Sequence, residues 1–214
     1  MSNNDKPAFP MNRATPLAET LIGALLPHAT LATYPPGQKF PLCVNDVAVC
    51  YIQLEGTTEF HRGPDGMVVT HIYAPAIVGL ADVQFSTFRE SWIESRELCQ
   101  IATLDLEQAY EIIRKNDLME TLVGHINGVL GKLYYHTLQN TAPSAYEIIR
   151  YQLLELMTET EEFRASTTVE KYIRAKTNLS RSGILKILAE LKTGGYVEMN
   201  EGRLIKVNKL PAKY

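Results

Sequence analysis

Between Leu179 and Val197 the apolar residues Ile184, Ile187, Leu188 and Leu191 recur at spacings of three and four, which lays a single apolar stripe along a helix. Arg181, Ser182 and Lys186 fall on the other side. Ser180 stands where an N-cap hydroxyl can accept a hydrogen bond from a first-turn amide. Leu179 and Ile184 are spaced as a hydrophobic staple. Gly194 and Gly195 stop the run, because glycine takes the left-handed conformation a C-terminal cap needs. The pattern predicts a short helix with an apolar back, a cationic front and a donor-rich N-terminus, as a major-groove reader requires.

Upstream, Thr167 and Glu170 are spaced as a capping box, predicting a second helix through Tyr172 and Ile173 to about Lys176. Residues Thr177 to Leu179 are then a tight turn, as in a helix-turn-helix. Downstream, the β-like runs Tyr196 to Met199 and Arg203 to Val207 flank Asn200, Glu201 and Gly202, a hairpin that would form a wing. A generic helix pair with a hairpin fits the spacing equally well. If the segment reads DNA, the candidate contacts are Ser180, Arg181, Ser182 and Lys186, with Lys176 and Arg203 beside them.

Before this region the texture changes three times. Leu17, Leu21, Ile22, Leu25 and Leu26 repeat at helical spacing until Pro27. From Leu31 to about Thr103 short β-rich runs are punctuated by Gly and Pro, the clearest being 47–54, 57–61, 67–73 and 92–104, which predicts an antiparallel barrel or sandwich. From Asp105 to about Asn140 the chain is helical. In its second part Met119, Leu122, Ile126, Val129, Leu133 and His136 form a heptad seam suited to pairing with a second copy, the alternative being packing on the chain's own barrel. Gly124, Gly128 and Gly131 weaken an isolated helix by roughly 1 kcal/mol each, so packing must compensate. Pro143 breaks the helix, which places a hinge at 139–143. Ser144 and Glu147 form a fresh capping box for a mostly buried helix.

Charge separates the two ends. The whole chain carries 21 basic and 24 acidic side chains, a formal −3. Residues 164–214 hold 11 Lys and Arg against 4 Glu, a net +7, so −10 remains for residues 1–163. A basic module on an acidic body is the footprint of a DNA-binding domain, although a solvated basic face gives the same count.

Length and composition set limits on the rest. At 214 residues and 45% hydrophobic content the chain suits one large or two small domains. No apolar run reaches the roughly 20 residues that span a bilayer, and the first 16 residues carry no signal-peptide core. Cys43, Cys50 and Cys99 are too few for a disulfide framework. These features predict a soluble cytoplasmic protein.

The order of parts resembles the Crp/Fnr family of bacterial transcription regulators from about Thr30 onward, with its motif-level support in the reader. The family's S-R-x-x-V start and I-L-x-x-L continuation are matched by Ser180, Arg181, Ile184, Ile187, Leu188 and Leu191. The enterobacterial IprA/YaiV regulators look like the nearest subgroup. Residues 1–16, with Pro7, Pro10 and Pro16 among polar residues, are expected to be mobile, and the resemblance implies an α+β fold for the rest: a cyclic-nucleotide-binding-like antiparallel β-roll with flanking helices (17–117), a dimerisation helix and hinge (118–142) and a winged helix-turn-helix (143–214). It implies a homodimer on double-stranded DNA, with RNA polymerase as a further partner, and base reading by Arg181, Ser182 and Lys186. Ser182 stands where many members have Glu, which predicts a different operator. In the first reader helix Arg174 replaces a usual small residue and Asn178 the usual turn glycine.

Cofactor readings point the other way. Cyclic-nucleotide members carry G-E-L followed by Arg-Ser or Arg-Thr, with the Glu on ribose and the Arg on phosphate. Here Gly79 and Leu80 remain, the Glu is absent, and Glu90 intervenes between Arg89 and Ser91. Gly79, Arg89 and Ser91 are therefore the candidate effector residues of a site expected to have lost cAMP, since an anionic Glu90 opposes a phosphate. No cysteine group precedes Cys43, so an iron–sulfur cluster is not expected. The five histidines show no H-x-H or H-x-x-x-H pairing, so no metal site is expected, although neighbouring strands could bring His61 and His71 together. Cys50 and Cys99 are the candidate redox thiols, with small core residues as their alternative reading. The expectation is a DNA-binding regulator and not an enzyme. A ligand-binding or redox-responsive β-roll with a vestigial reader is the alternative.

Overall fold

A computed structural model describes residues 15–63, 65–81, 89–140 and 144–211. The chain divides into two compact units at Leu133/Tyr134, inside the long helix expected over 118–142.

The first unit begins with helix α1 (Pro16–Leu25), where Thr15 caps the N-terminus by accepting from the Ala18 amide and Pro16 occupies the first turn. A single 3₁₀ turn, Leu26–His28, follows. Among the described residues nine strands come next: β1 (Thr30–Tyr34), β2 (Lys39–Pro41), β3 (Cys43–Val44), β4 (Val47–Glu55), β5 (Thr57–Arg62), β6 (Met67–Tyr73), β7 (Ala76–Val78), β8 (Trp92–Ser95) and β9 (Cys99–Asp105). They form two antiparallel sheets. One has the order β1-β9-β4-β3 with β7 also on β4, and the other β2-β8-β5-β6.

Strand β4 shows why the sequence there reads as a continuous apolar run. Successive side chains of a strand point to opposite faces, and both faces of β4 are covered. Cys50 and Ile52 enter a core shared with α1 and with helix α2 (Leu106–Lys115). Val49 and Tyr51 enter a second core, with Phe40, Ile93, Phe60 and Ile72 from the other sheet. Strand β9 divides in the same way, Ala102 and Leu104 against Cys99 and Ile101. In the inter-sheet core Tyr34, Phe40 and Tyr51 pack edge to face at ring separations of 4.8 and 5.5 Å.

The run predicted as one strand over 92–104 is two. Ser95 is buried, and its backbone carbonyl and hydroxyl accept from the Gly37 and Gln38 amides. That anchorage ends β8 in one sheet before β9 starts in the other.

Helix α3 (Met119–Asn140) corrects part of the predicted seam. Leu122 is buried in the core with α1, and Ile126 packs partly against it. His136 is buried against Tyr151. Neither Leu122 nor His136 is available to a partner. The face left exposed contains Met119, Val123, Leu130, Leu133 and Tyr134, with Val129 and Leu138 at its margins. Gly124 meets Leu17 of α1 so closely that a Cβ would lie 2.9 Å from its Cδ1, whereas Gly128 and Gly131 face open space.

The second unit contains α4 (Ala145–Leu156), α5 (Glu161–Ser166), α6 (Val169–Lys176), α7 (Arg181–Thr193), β10 (Val197–Asn200) and β11 (Arg203–Val207). Ser144 caps α4 as predicted, accepting from the Glu147 amide at 3.2 Å, but the Glu147 carboxylate takes the serine hydroxyl at 3.1 Å and not the serine amide, so the reciprocal bond of a capping box is not made. The other predicted box is displaced by one residue. Thr168, not Thr167, caps α6 by accepting from the Lys171 amide at 3.2 Å, which leaves Glu170 outside the cap. Helix α5 was not expected. Most of the predicted 139–143 hinge lies outside the described residues, as do residues 1–14 and 82–88.

Candidate nucleic-acid interface

Helix α7 is built as its sequence pattern requires. Ser180 accepts from the Gly183 amide at 3.2 Å, and Ile184, Leu188 and Leu191 are buried in a core with Tyr146, Ile149, Leu153, Val169 and Ile173. Its C-terminus is a Schellman motif: the Tyr196 amide donates to Leu191 O and the Gly195 amide to Lys192 O, with Gly195 at φ +71°.

The turn between α6 and α7 forms without a left-handed residue at Asn178, the place where a glycine is usual. Thr177 replaces that device. Its buried hydroxyl donates to Ile173 O at 2.8 Å and accepts from the Leu179 amide at 3.4 Å. The wing closes through Glu201 (φ +48°) and Gly202 (φ +77°), and Gly202 O accepts from the first amide of α6.

On the solvent side, Arg181, Ser182 and Lys186 are exposed. The Arg181 side chain is 69% accessible, with its Nε 3.8 Å from Glu170 Oε1. Glu170 also faces Arg174 at 3.5 Å. Arg203 lies on the wing and is drawn to Glu201 at 3.1 Å. The Arg203–Glu201 pair is exposed on both sides and contributes little to stability, whereas Glu170 is only 17% accessible and it is the arginine side of its two pairs that stays open to solvent.

Lys176 is different and leaves the contact set. It is 3% accessible. Its Nζ donates to the Tyr172 hydroxyl at 2.8 Å, lies 3.0 Å from Glu155 Oε1 and sits over the Tyr172 ring. The sequence held a signal for this: Val169, Tyr172, Ile173 and Lys176 fall at i, i+3, i+4 and i+7, so Lys176 shares the buried stripe of α6. Leu185 is also exposed on α7, beside Arg181 and Lys186.

Two of the candidate effector residues, Gly79 and Ser91, have a structural task. Gly79 has φ +91°, and a Cβ there would meet Val49 O at 2.2 Å. Ser91 is buried, with its hydroxyl accepting from the Gly63 amide and its carbonyl from the Leu42 amide. Arg89 lies 3.9 Å from the fully exposed carboxylate of Asp46.

Both candidate redox thiols are buried. Burial pushes the Cys50 thiol up to about 12 and also raises Cys99. Neither has the thiolate character that a redox-reactive cysteine needs.

His61 and His71 do meet, on a carboxylate that the sequence did not single out. Their Nε2 atoms each lie 3.3 Å from an oxygen of Glu59, with Arg96 Nε at 3.2 Å. His61 also stacks on Trp92, 5.1 Å apart and 4° from parallel. Strand register assembles this group, since Glu59 stands opposite His71 on β6 and Glu94 on β8. Among the described residues no group of three His, Cys, Asp or Glu is arranged to hold a metal ion, and no helix is long and apolar enough to cross a membrane.

Comparison with known proteins agrees with this geometry. Residues 145–212 match the family described as winged helix-turn-helix DNA binding. The chain is 31% identical over 164 residues to the inhibitor of hydrogen peroxide resistance of Escherichia coli, covering 77% of this chain and 79% of that protein. The Salmonella typhimurium counterpart is 32% identical over the same length and coverage. Among solved structures, the c-di-GMP-responsive regulator CLP of Xanthomonas campestris superposes with a TM-score of 0.69 at 14% identity, covering 90% of this chain and all of that one. A mutant of CooA from Carboxydothermus hydrogenoformans gives 0.67 at 14% identity, covering 94% and 96%. A Crp/Fnr-family regulator of Thermus thermophilus gives 0.58 at 18% identity, covering 82% and 93%. The chain therefore belongs to the family of the inhibitor of hydrogen peroxide resistance, with a winged helix-turn-helix DNA-binding domain at residues 145–212 and the Crp/Fnr-type fold of a β-roll, a long helix and a winged helix-turn-helix.

Proposed function

We propose that this protein is a homodimeric, sequence-specific transcription regulator whose α7 enters the DNA major groove and whose β-roll has lost the usual cyclic-nucleotide site. By the name of its relatives, its output bears on hydrogen peroxide resistance. The observation that carries the reading is the solvent face of α7. Arg181 and Lys186 are exposed there on a helix whose opposite stripe is buried and whose N-terminus is capped. Arginine can make the bidentate contact to guanine, and lysine can reach guanine or a phosphate.

The homodimer is supported by α3. Met119, Val123, Ile126, Leu130 and Leu133 follow the 4-3-4-3 spacing of a coiled-coil seam, and all but Ile126 are exposed. A second copy offers the same stripe and covers both. Two readers then reach half-sites about one helical turn apart.

Loss of the nucleotide site is supported by the cluster of aromatic rings between the two sheets and by the anionic Glu90 that follows Arg89 in the sequence. The burial of Cys50 and Cys99 opposes a signal entering through those thiols.

The test is selection of bound duplexes from a random pool, followed by titration of the enriched site. Arg181→Ala with Lys186→Ala should cost on the order of 100-fold in affinity and flatten the salt dependence by about one ion released. Unchanged affinity and salt slope would remove α7 from the interface. For the dimer, sedimentation at micromolar concentration should give two copies for the native protein and one for Leu130→Glu. A monomeric native protein ends that part of the reading.

A further inference from the structure

We propose that Leu185 is a specificity-determining residue of the reader, taking the C5 methyl group of a thymine in the major groove. The inference rests on the DNA-reading function proposed above. Leu185 follows Ile184, which is fully buried, and the helical repeat turns it about 100° away from the core stripe. It is 46% accessible, and among the described residues of α7 it is the one large apolar side chain left exposed. A single exposed leucine is ordinary. The position of this one is informative, because it lies one turn after Arg181, adjoins Lys186 and precedes the exposed, small Ala189 by one turn.

The chemistry that fits such a side chain is narrow. Of the four bases, thymine alone presents a methyl group in the major groove, while the others are marked there by ring nitrogens, carbonyl oxygens and amino groups. Leu185 can bury its methyl groups against thymine. Against any other base it would desolvate a donor or acceptor without replacing its hydrogen bond. The preference is therefore two-sided: gain at thymine and penalty elsewhere. Arg181 and Lys186, by contrast, also gain from phosphate, which carries no sequence information.

The experiment uses the full-length protein and the duplex enriched from a random pool, with each thymine replaced singly by deoxyuridine. That substitution removes only the methyl group. One position per half-site should lose about fourfold in affinity for the native protein, the value of roughly one buried methyl group. Leu185→Ala, at a surface position, should bind the thymine duplex about fourfold more weakly and no longer distinguish thymine from uracil at that position. A variant that keeps the native methyl dependence, or a native protein with no methyl-sensitive position, overturns the assignment while leaving DNA reading intact. If no duplex is enriched at all, the reader function fails and this contact fails with it.

Discussion

The two units treat their charged side chains in opposite ways. In the β-roll one cluster of charges is turned on itself: Glu59, 21% accessible, takes His61, His71 and Arg96. In the reader, Arg181 and Lys186 stand at the surface of α7, with Glu170 as a loose neighbour of the arginine. Charge already satisfied inside a fold has little to offer a ligand. Charge held loosely at the surface can be transferred to phosphate or a base edge with little loss. The contrast also runs within the reader, between Lys176 and Arg181, two cations five residues apart. One is sealed against Glu155 and Tyr172, the other is 69% accessible.

Separating those two cations gives the largest expected effect. Lys176→Met leaves Glu155 half-buried without its partner and should cost about 3–5 kcal/mol in urea unfolding of the reader. Arg181→Ala should change stability by less than about 0.5 kcal/mol while weakening DNA binding. Adding Glu155→Leu to Lys176→Met should restore most of the loss, because Glu155 Oε2 has no hydrogen-bond partner among the described residues even in the native pair. A Lys176→Met protein as stable as the native one would show that the pair is not the sealed contact described above.

The reader was largely legible in the sequence because its signals are local. Caps at Ser144 and Ser180, glycines at 194 and 195 and a three-four apolar repeat all act within a few residues. Lys176 was misplaced because its charge was weighed and its position on the α6 stripe was not. The Thr167 cap was off by one because Thr168 carries the same hydroxyl, and tertiary contact chooses: Val169 N donates to Gly202 O on the wing. Helix α5 escaped because its 6 residues make fewer than two turns, too few to show a periodicity. On α3 two seams overlap, sharing Met119, Ile126 and Leu133, and the sequence alone does not say which one the chain's own cores absorb. The choice fell on Leu122 and His136, the pair that is buried. The Glu59 group was invisible for a different reason. Its members come from β5, β6 and β8 and the residues just after β8, and only strand register brings them together.

That register makes the β-roll's stability depend on pH. Burial disfavours both ionised partners, yet for Glu59 it is outweighed by His61, His71 and Arg96, which hold the carboxyl far below its ordinary 4.5. For His61 burial is outweighed by Glu59 and by the carbonyl of Gly66, which raise the ring above its ordinary 6.5. The signs then fix the window. Stability from protonated His61 is complete below about 6.5 and is lost as the pH rises through its folded value. Stability from ionised Glu59 is complete above about 4.5 and is lost as the pH falls toward its lowered folded value. The unit should therefore be most stable between these limits. Trp92 is the chain's single tryptophan and stacks on His61, so its fluorescence reports this unit directly. Urea midpoints followed at Trp92 should decline above about pH 6.5 in the native protein and much less in Glu59→Gln, where the ring loses its anionic partner. A Glu59→Gln profile parallel to the native one would mean that the carboxylate does not set the titration of His61, and the contrast between satisfied and transferable charge would lose its β-roll half.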